Sequence, residues 1–235
     1  MSGIRLSERL GTIASMVSPC DTFTDVGCDH ALLPIWLLSQ GICKKAVATD
    51  INSGPLSRAK ANADSFALGE DKISFILSDG LRLVKDPPDG KNTLSICGVG
   101  GLLIEGIIKD SADKIRKYDT LILSPHTKQY ELRLFLNKNG YSIEDEKFVC
   151  EDGKLYVIIK AVPAKAGEIL QDLSEKEYRF GRFIKEALKD TKVREKLTAE
   201  LKAAERLLRD NKQLPEDRRQ LLMQDLASYR EVLEN

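Results

Sequence analysis

The chain has 235 residues, with 36 Lys or Arg against 36 Asp or Glu, 42% hydrophobic residues and 31% charged ones. This is enough for one medium domain with an appendage, and enough apolar content for a buried core. Zero net charge excludes a global basic field for nucleic acid. No apolar run reaches membrane-span length, and the N-terminus lacks a signal peptide's basic start and apolar core, so a cytoplasmic protein is expected.

Dividing the chain does not change the charge picture. Residues 1–160 hold 20 basic and 21 acidic side chains, and residues 161–235 hold 16 and 15. The five cysteines (Cys20, Cys28, Cys43, Cys97, Cys150) form no CxxC pair, and with only two histidines no metal site is expected. Cys28 and Cys97 read as small fillers, because no neighbouring cation or base would activate a thiol.

The first predicted element is a helix over 5–17, with Leu6, Leu10, Ile13 and Val17 on one face. After Pro19 the chain alternates. Strands are predicted at 22–26, 45–49, 73–77, 93–97 and 119–124, and helices at 30–40, 54–67, 101–109 and 127–138. That alternation implies βαβ units and a mainly parallel sheet. Two further strands, 141–149 and 154–162, are joined by Glu151-Asp152-Gly153-Lys154, whose Asp-Gly pair signals a hairpin. The expected fold is therefore α/β, a Rossmann-like parallel sheet closed by an antiparallel hairpin edge.

After Pro163 the composition changes. Residues 173–235 are rich in Lys, Arg, Glu and Leu, with no strand signal. Leu197, Leu201, Ala204 and Leu208 form one helical stripe. Leu214, Leu221, Leu222, Leu226, Tyr229 and Leu233 form another, with Arg209 to Pro215 as the turn between them. This predicts a C-terminal helical coiled-coil hairpin. The expected domains are residues 1–163 and 164–235.

The chemistry concentrates at strand ends. Thr22 to Pro34, TFTDVGCDHALLP, reads as a strand, a small-residue turn and the start of a helix, and Asp50 ends the next strand at the spacing of a ribose-binding acid. Gly27 is the one glycine in that turn. Asp29 and Ala31 stand where a pyrophosphate binder would place more. A carboxylate there repels pyrophosphate and attracts the ammonium of S-adenosyl-L-methionine, so the turn favours that cofactor over NAD.

Asp25, Asp50 and the Asp79-Gly80 pair close three successive strands. They are candidates for the methionine part, the ribose and the adenine respectively, although turn or capping roles would also explain Asp25. Asn52 is a candidate cofactor contact or a helix cap. Gly98 and Gly100, in the run Cys97 to Gly101, allow close backbone approach and positive φ. Ser124-Pro125-His126 ends the fifth strand, where His126 reads equally as pocket lining or loop surface. His30 beside Asp29 is the stronger histidine candidate, with helix capping as its alternative.

Assembled in order, these motifs resemble the bacterial tRNA adenine-N1 methyltransferases of the TrmK family, which modify adenine 22 of tRNA. The matching segments are Leu6-Ser-Glu-Arg-Leu10, Asp25 to Pro34, Ala48-Thr-Asp50, Ser78-Asp-Gly-Leu81, Cys97 to Gly101 and Leu121 to Pro125. Two positions depart from the family pattern. Val99 stands where Met is typical, and Ser124-Pro125-His126 stands where Gln-Pro-Asn is typical.

The resemblance implies S-adenosyl-L-methionine as cofactor, tRNA as partner and methyl transfer to adenine N1. It places Ser124, Pro125 and His126 at the target base; Asp29 and His30 are the candidates for the reacting centre, with the cofactor's ammonium as the competing partner of Asp29. The helical hairpin would grip the tRNA, with a monomer or weak dimer expected. Three other readings stay open on sequence: a methyltransferase for another RNA or a small molecule, a non-catalytic cofactor- or RNA-binding adapter, and an NAD-dependent oxidoreductase.

Overall fold

The computed structural model describes residues 4–165, 170, 172–211 and 214–234. Helix α1 (Glu8–Met16) precedes an alternation of β1 (Cys20–Val26), α2 (Leu32–Ser39), β2 (Cys43–Asp50), α3 (Ser53–Ser65), β3 (Ile73–Leu77), β4 (Asn92–Val99), α4 (Gly101–Asp110), a short α5 (Ala112–Ile115), β5 (Thr120–Pro125) and α6 (Gln129–Lys138). The hairpin β6 (Tyr141–Glu151) and β7 (Lys154–Pro163) follows, then α7 (Glu175–Phe180), α8 (Ile184–Ala187), α9 (Thr191–Asp210) and α10 (Glu216–Glu234).

The seven strands form one sheet in the order β3-β2-β1-β4-β5-β7-β6. The first five run parallel, and β7 pairs antiparallel with both β5 and β6. Both faces are covered. Along β5 and β7, Leu121, Leu123, Val157 and Ile159 enter a core with Ile104, Leu132 and Leu136 of α4 and α6. The intervening Ile122 and Ile158 enter the opposite core, with Ile13 of α1 and Leu33 and Leu37 of α2. A two-residue alternation in which both sets are buried is what a doubly covered sheet requires. Strand order reverses between β1 and β4, so a crevice opens at their carboxyl ends.

Two local expectations are corrected. The helix predicted from residue 30 begins at Leu32, because Asp29 and Ala31 take left-handed φ of 46° and 53°. Asn52 stands at the N-cap of α3, but its side chain makes no capping bond; instead its backbone N–H donates to Asp50 Oδ1 at 2.9 Å.

The C-terminal helices pack on the hairpin. Phe180, Ile184, Val193, Leu197 and Val232 form a small core against Phe148, Cys150 and Leu155. Helices α9 and α10 run antiparallel: Tyr229 Oη bonds Glu200 at 3.2 Å, and Arg194 Nη1 donates to the Leu233 carbonyl at 3.1 Å. Leu226 and Val232 are buried, whereas Leu221, predicted on the stripe, is 60% exposed. Residues 212 and 213 of the predicted turn lie outside the described residues.

Candidate functional site: a cavity at the carboxyl edge of the sheet

A cavity of about 530 Å³ sits at the crevice, within the range of small-molecule sites. Its wall holds Asp25, Gly27, Asp29 and His30 from the turn after β1, and Asp50 and Asn52 from the turn after β2. Asp79 and Gly80 contribute from the turn after β3, Gly98 from the end of β4, and His126 from the turn after β5. The topology thus gathers ten of the sequence-predicted residues into one space.

Three predicted residues fall outside that wall. Ser124 is fully buried and donates to the Val157 carbonyl at 3.0 Å, so its hydroxyl is spent on β7. Pro125 ends the buried part of β5. Gly100 is the N-cap of α4, and a Cβ built there would come 3.2 Å from Thr127 Oγ1. These residues place the turn that carries His126, whose backbone N–H donates to the Val99 carbonyl at 2.9 Å.

Asp25 faces Ser95 across the β1–β4 register, and the Ser95 hydroxyl donates to its carboxylate. Burial pushes the Asp25 acid up to about 7, with the hydroxyl's hydrogen bond pulling the other way and the nearby Asp50 charge adding to the rise. Ser95 was not singled out in the sequence, yet a serine inside the otherwise apolar run of β4 must find a polar partner, and that was its signal. The other acids are more open. Asp29 lies 3.6 Å from His30 Nε2 and 3.7 Å from Arg58 Nη2, and Asp79 lies 3.5 Å from Arg82 Nη1.

Gly98 has φ of +81°, and Gly80 has φ of +58° with a Cβ built there lying 3.2 Å from Ile107 Cγ2, so a side chain at either would strain the wall. His126 lies edge-on to Tyr156, with ring centres 5.6 Å apart. Partial burial and the cations of Arg9 and Lys154 hold its imidazole below the usual range, which favours the neutral form. The Cys97 thiol is pushed up to about 12, chiefly by burial, and stays protonated at neutral pH. Among the described residues no group of His, Cys, Asp and Glu could hold a metal ion, and no helix is long and apolar enough to cross a membrane.

Sequence reasoning also missed Arg9 and Leu103, which line the same cavity. Arg9 lies within the Leu6 to Leu10 segment, but its approach depends on how α1 packs, which periodicity does not reveal.

An open sheet reversing at β1–β4, an antiparallel β7 and acids closing three successive strands define a class I methyltransferase. The cavity fits S-adenosyl-L-methionine: its carboxylates complement a sulfonium, an ammonium and hydroxyl donors. A family model described as "Methyltransferase domain" matches residues 6–159.

The tRNA (adenine(22)-N(1))-methyltransferase of Bacillus subtilis is 33% identical over 161 residues, covering 68% of this chain and 66% of that protein. Among solved structures, Streptococcus pneumoniae Sp1610 in complex with S-adenosyl-L-methionine superposes with a TM-score of 0.86 at 31% identity, covering 97% of this chain and 100% of that one. M. capricolum TrmK in complex with S-adenosyl-homocysteine gives a TM-score of 0.83 at 29% identity, covering 97% and 98%. The chain belongs to the TrmK family within the methyltransferases.

Proposed function

We propose that this chain methylates N1 of adenine 22 in tRNA, using S-adenosyl-L-methionine. The observation that carries the reading is the gathering of Asp25, Asp50 and Asp79 at the ends of successive strands around one cavity, in a chain whose relatives act on that base. When bound, the cofactor supplies an electrophilic methyl group on a sulfonium.

Asp50 accepts from the ribose hydroxyls, and Asp79 with the Gly80 backbone meets the adenine edge. Asp25 faces the cationic methionine part. Asn52 and Gly27 complete the cofactor wall, and Gly98, beside the end of β4, gives the backbone room to approach. The target adenine enters beside Asp29, His30 and His126, with Ser124 and Pro125 fixing the His126 turn from behind.

Adenine N1 carries a lone pair at neutral pH, so attack needs no strong base. Positioning and exclusion of water supply most of the barrier reduction. The product ring is cationic, and the Asp29 carboxylate stabilises that developing charge. A base buried in folded tRNA must first be everted, at about a few kcal/mol. The helical hairpin α9–α10 is the proposed tRNA grip, acting by backbone and shape contacts.

The test is methyl transfer from labelled S-adenosyl-L-methionine to bulk tRNA, followed by mass spectrometry of the digested nucleosides. 1-Methyladenosine is expected, and its loss is expected when position 22 of the tRNA is changed from adenine. Cofactor binding without 1-methyladenosine would overturn the substrate assignment.

A further inference from the structure

Most polar side chains of the cavity wall already have partners within the protein. The Ser95 hydroxyl donates to Asp25, the Asn52 backbone N–H donates to Asp50 at 2.9 Å, and Asp79 stands 3.5 Å from Arg82 Nη1. Asp29 lies 3.6 Å from His30 Nε2 and 3.7 Å from Arg58 Nη2. His126 differs. It lines the cavity from the turn after β5, and neither of its ring nitrogens makes a hydrogen bond to the described residues.

The ring is nevertheless held in place. The His126 backbone N–H donates to the Val99 carbonyl at 2.9 Å, and the imidazole packs edge-on against Tyr156 of β7. Its Nε2 lies 4.0 Å from where a Cβ at Gly98 would stand, so the glycine keeps the space in front of that nitrogen open. The groups that bear on the ring are Tyr156 and the cation of Lys154 from β7, and the cation of Arg9 from α1. Cys97, which lines the same cavity from β4, stays protonated and brings no charge. Burial and the two cations disfavour protonation of His126, which leaves one ring nitrogen as an acceptor.

Methyl transfer to N1 requires the adenine to turn its N1 edge to the cofactor, and the donor beside N1 on that edge is the 6-amino group. We infer that His126 accepts a hydrogen bond at Nε2 from the 6-amino group of the target adenine and so selects adenine at the reacting position. This rests on the reading above. Guanine would set a carbonyl oxygen against the same nitrogen, two acceptors facing each other, and a protonated imidazole would have no acceptor to offer. A neutral ring also places no charge against a purine that becomes cationic on methylation.

The test removes the contact from each side in turn. A tRNA with purine riboside at position 22 keeps the N1 lone pair and lacks the 6-amino group. Wild-type kcat/KM for methyl transfer should fall about three- to tenfold on that tRNA. His126→Ala should lose a similar factor on ordinary tRNA and no longer distinguish the two substrates. His126→Asn, whose amide oxygen accepts without titrating, should keep the preference. At saturating cofactor, the ratio of wild-type to His126→Asn activity should drop as pH is lowered from about 8 to about 5.

No preference in the wild type, or one undiminished in His126→Ala, would overturn the inference and give the amino group to another partner. A ratio constant with pH would also overturn it. Calorimetry with S-adenosyl-homocysteine should show less than a twofold change in either variant; a loss of affinity matching the loss of rate would make His126 part of the cofactor wall instead. Failure of the wild type to form 1-methyladenosine on ordinary tRNA would overturn the functional reading itself.

Discussion

At the residue scale the cavity is governed by where each acid sits relative to water. Asp25 is 7% exposed and its acid rises from an ordinary 3.8 to about 7. Below pH about 4 it is protonated folded and unfolded alike. Between pH 4 and 7 the folded chain keeps the proton and the unfolded chain has lost it, so this group's contribution to stability falls as pH rises. Asp25→Asn should therefore stabilise the ligand-free protein at pH 8, by up to about 4 kcal/mol, with the gain vanishing near pH 4. Urea unfolding at several pH values measures it, and a pH-independent difference would refute the assignment. A cationic ligand reverses the balance by favouring the carboxylate, so cofactor binding near pH 6.5 should release a proton in the wild type and none in the variant.

Asp50 is more open than Asp25 and lines the same cavity. Asp50→Ala should weaken S-adenosyl-homocysteine by about tenfold or more, or 1.4 kcal/mol, as read by calorimetry. Near-normal binding would sink the ribose assignment. These acids were legible in the sequence because each closes a strand, and strand ends in an open α/β sheet meet at one crevice. Arg9 and Ser95 were not, since their partners Glu151 and Asp25 stand 142 and 70 residues away.

At the element scale, the turn from β4 into α4 shows why a glycine cluster was readable and what each glycine does. Gly98 needs its positive φ, whereas Gly101 has an ordinary backbone and needs space: a Cβ there would meet the Lys128 carbonyl at 2.6 Å and that of Thr127 at 2.8 Å. Gly101 N–H also donates to the Thr127 carbonyl at 2.8 Å, so the start of α4 is bonded to the turn that carries His126. Backbone cannot yield as a flexible side chain can. Gly101→Ala should cost about 1–3 kcal/mol and weaken tRNA methylation more than cofactor binding.

Gly106 is the internal control. It lies in the same helix with open space around it, and Gly106→Ala should stabilise by about 0.5–1 kcal/mol. Thermal melts of both variants decide the matter; equal behaviour would show that close approach is not what fixes Gly101. The strand alternation was legible because burial on both faces writes long apolar runs. The late start of α2 was not, because Asp29 and Ala31 take a left-handed φ that non-glycine residues rarely adopt.

At the scale of the whole molecule, composition marked a boundary after Pro163, and β7 ends there. The physical join is elsewhere. Arg133 of α6 and Glu146 of β6 form a 2.7 Å ion pair with side chains 1% and 0% exposed. The C-terminal region bonds both members of the pair: Arg133 Nη1 donates to the Tyr178 carbonyl at 3.0 Å, and Arg182 N–H donates to Glu146 Oε2 at 2.6 Å, while Arg133 Nη2 is buried without a hydrogen-bond partner among the described residues. Arg179 then pairs with Asp225, tying α7 to α10. This charge pair adds to the apolar core on the hairpin in docking the helices proposed to hold tRNA. Excising the helical region at the compositional boundary would strip that pair of these hydrogen-bond partners.

Arg133→Ala should destabilise by about 3–5 kcal/mol, because Glu146 is left buried and unpaired. The double variant Arg133→Met with Glu146→Leu should lose far less, since no lone charge stays behind. In the double variant the α7 carbonyls still lack their donor, so cofactor affinity should stay near wild type while tRNA affinity falls. Denaturant unfolding, cofactor calorimetry and tRNA binding on the two variants separate these effects. Equal destabilisation of single and double variants would mean that packing around Gly181, and not the charge pair, joins the helices to the sheet.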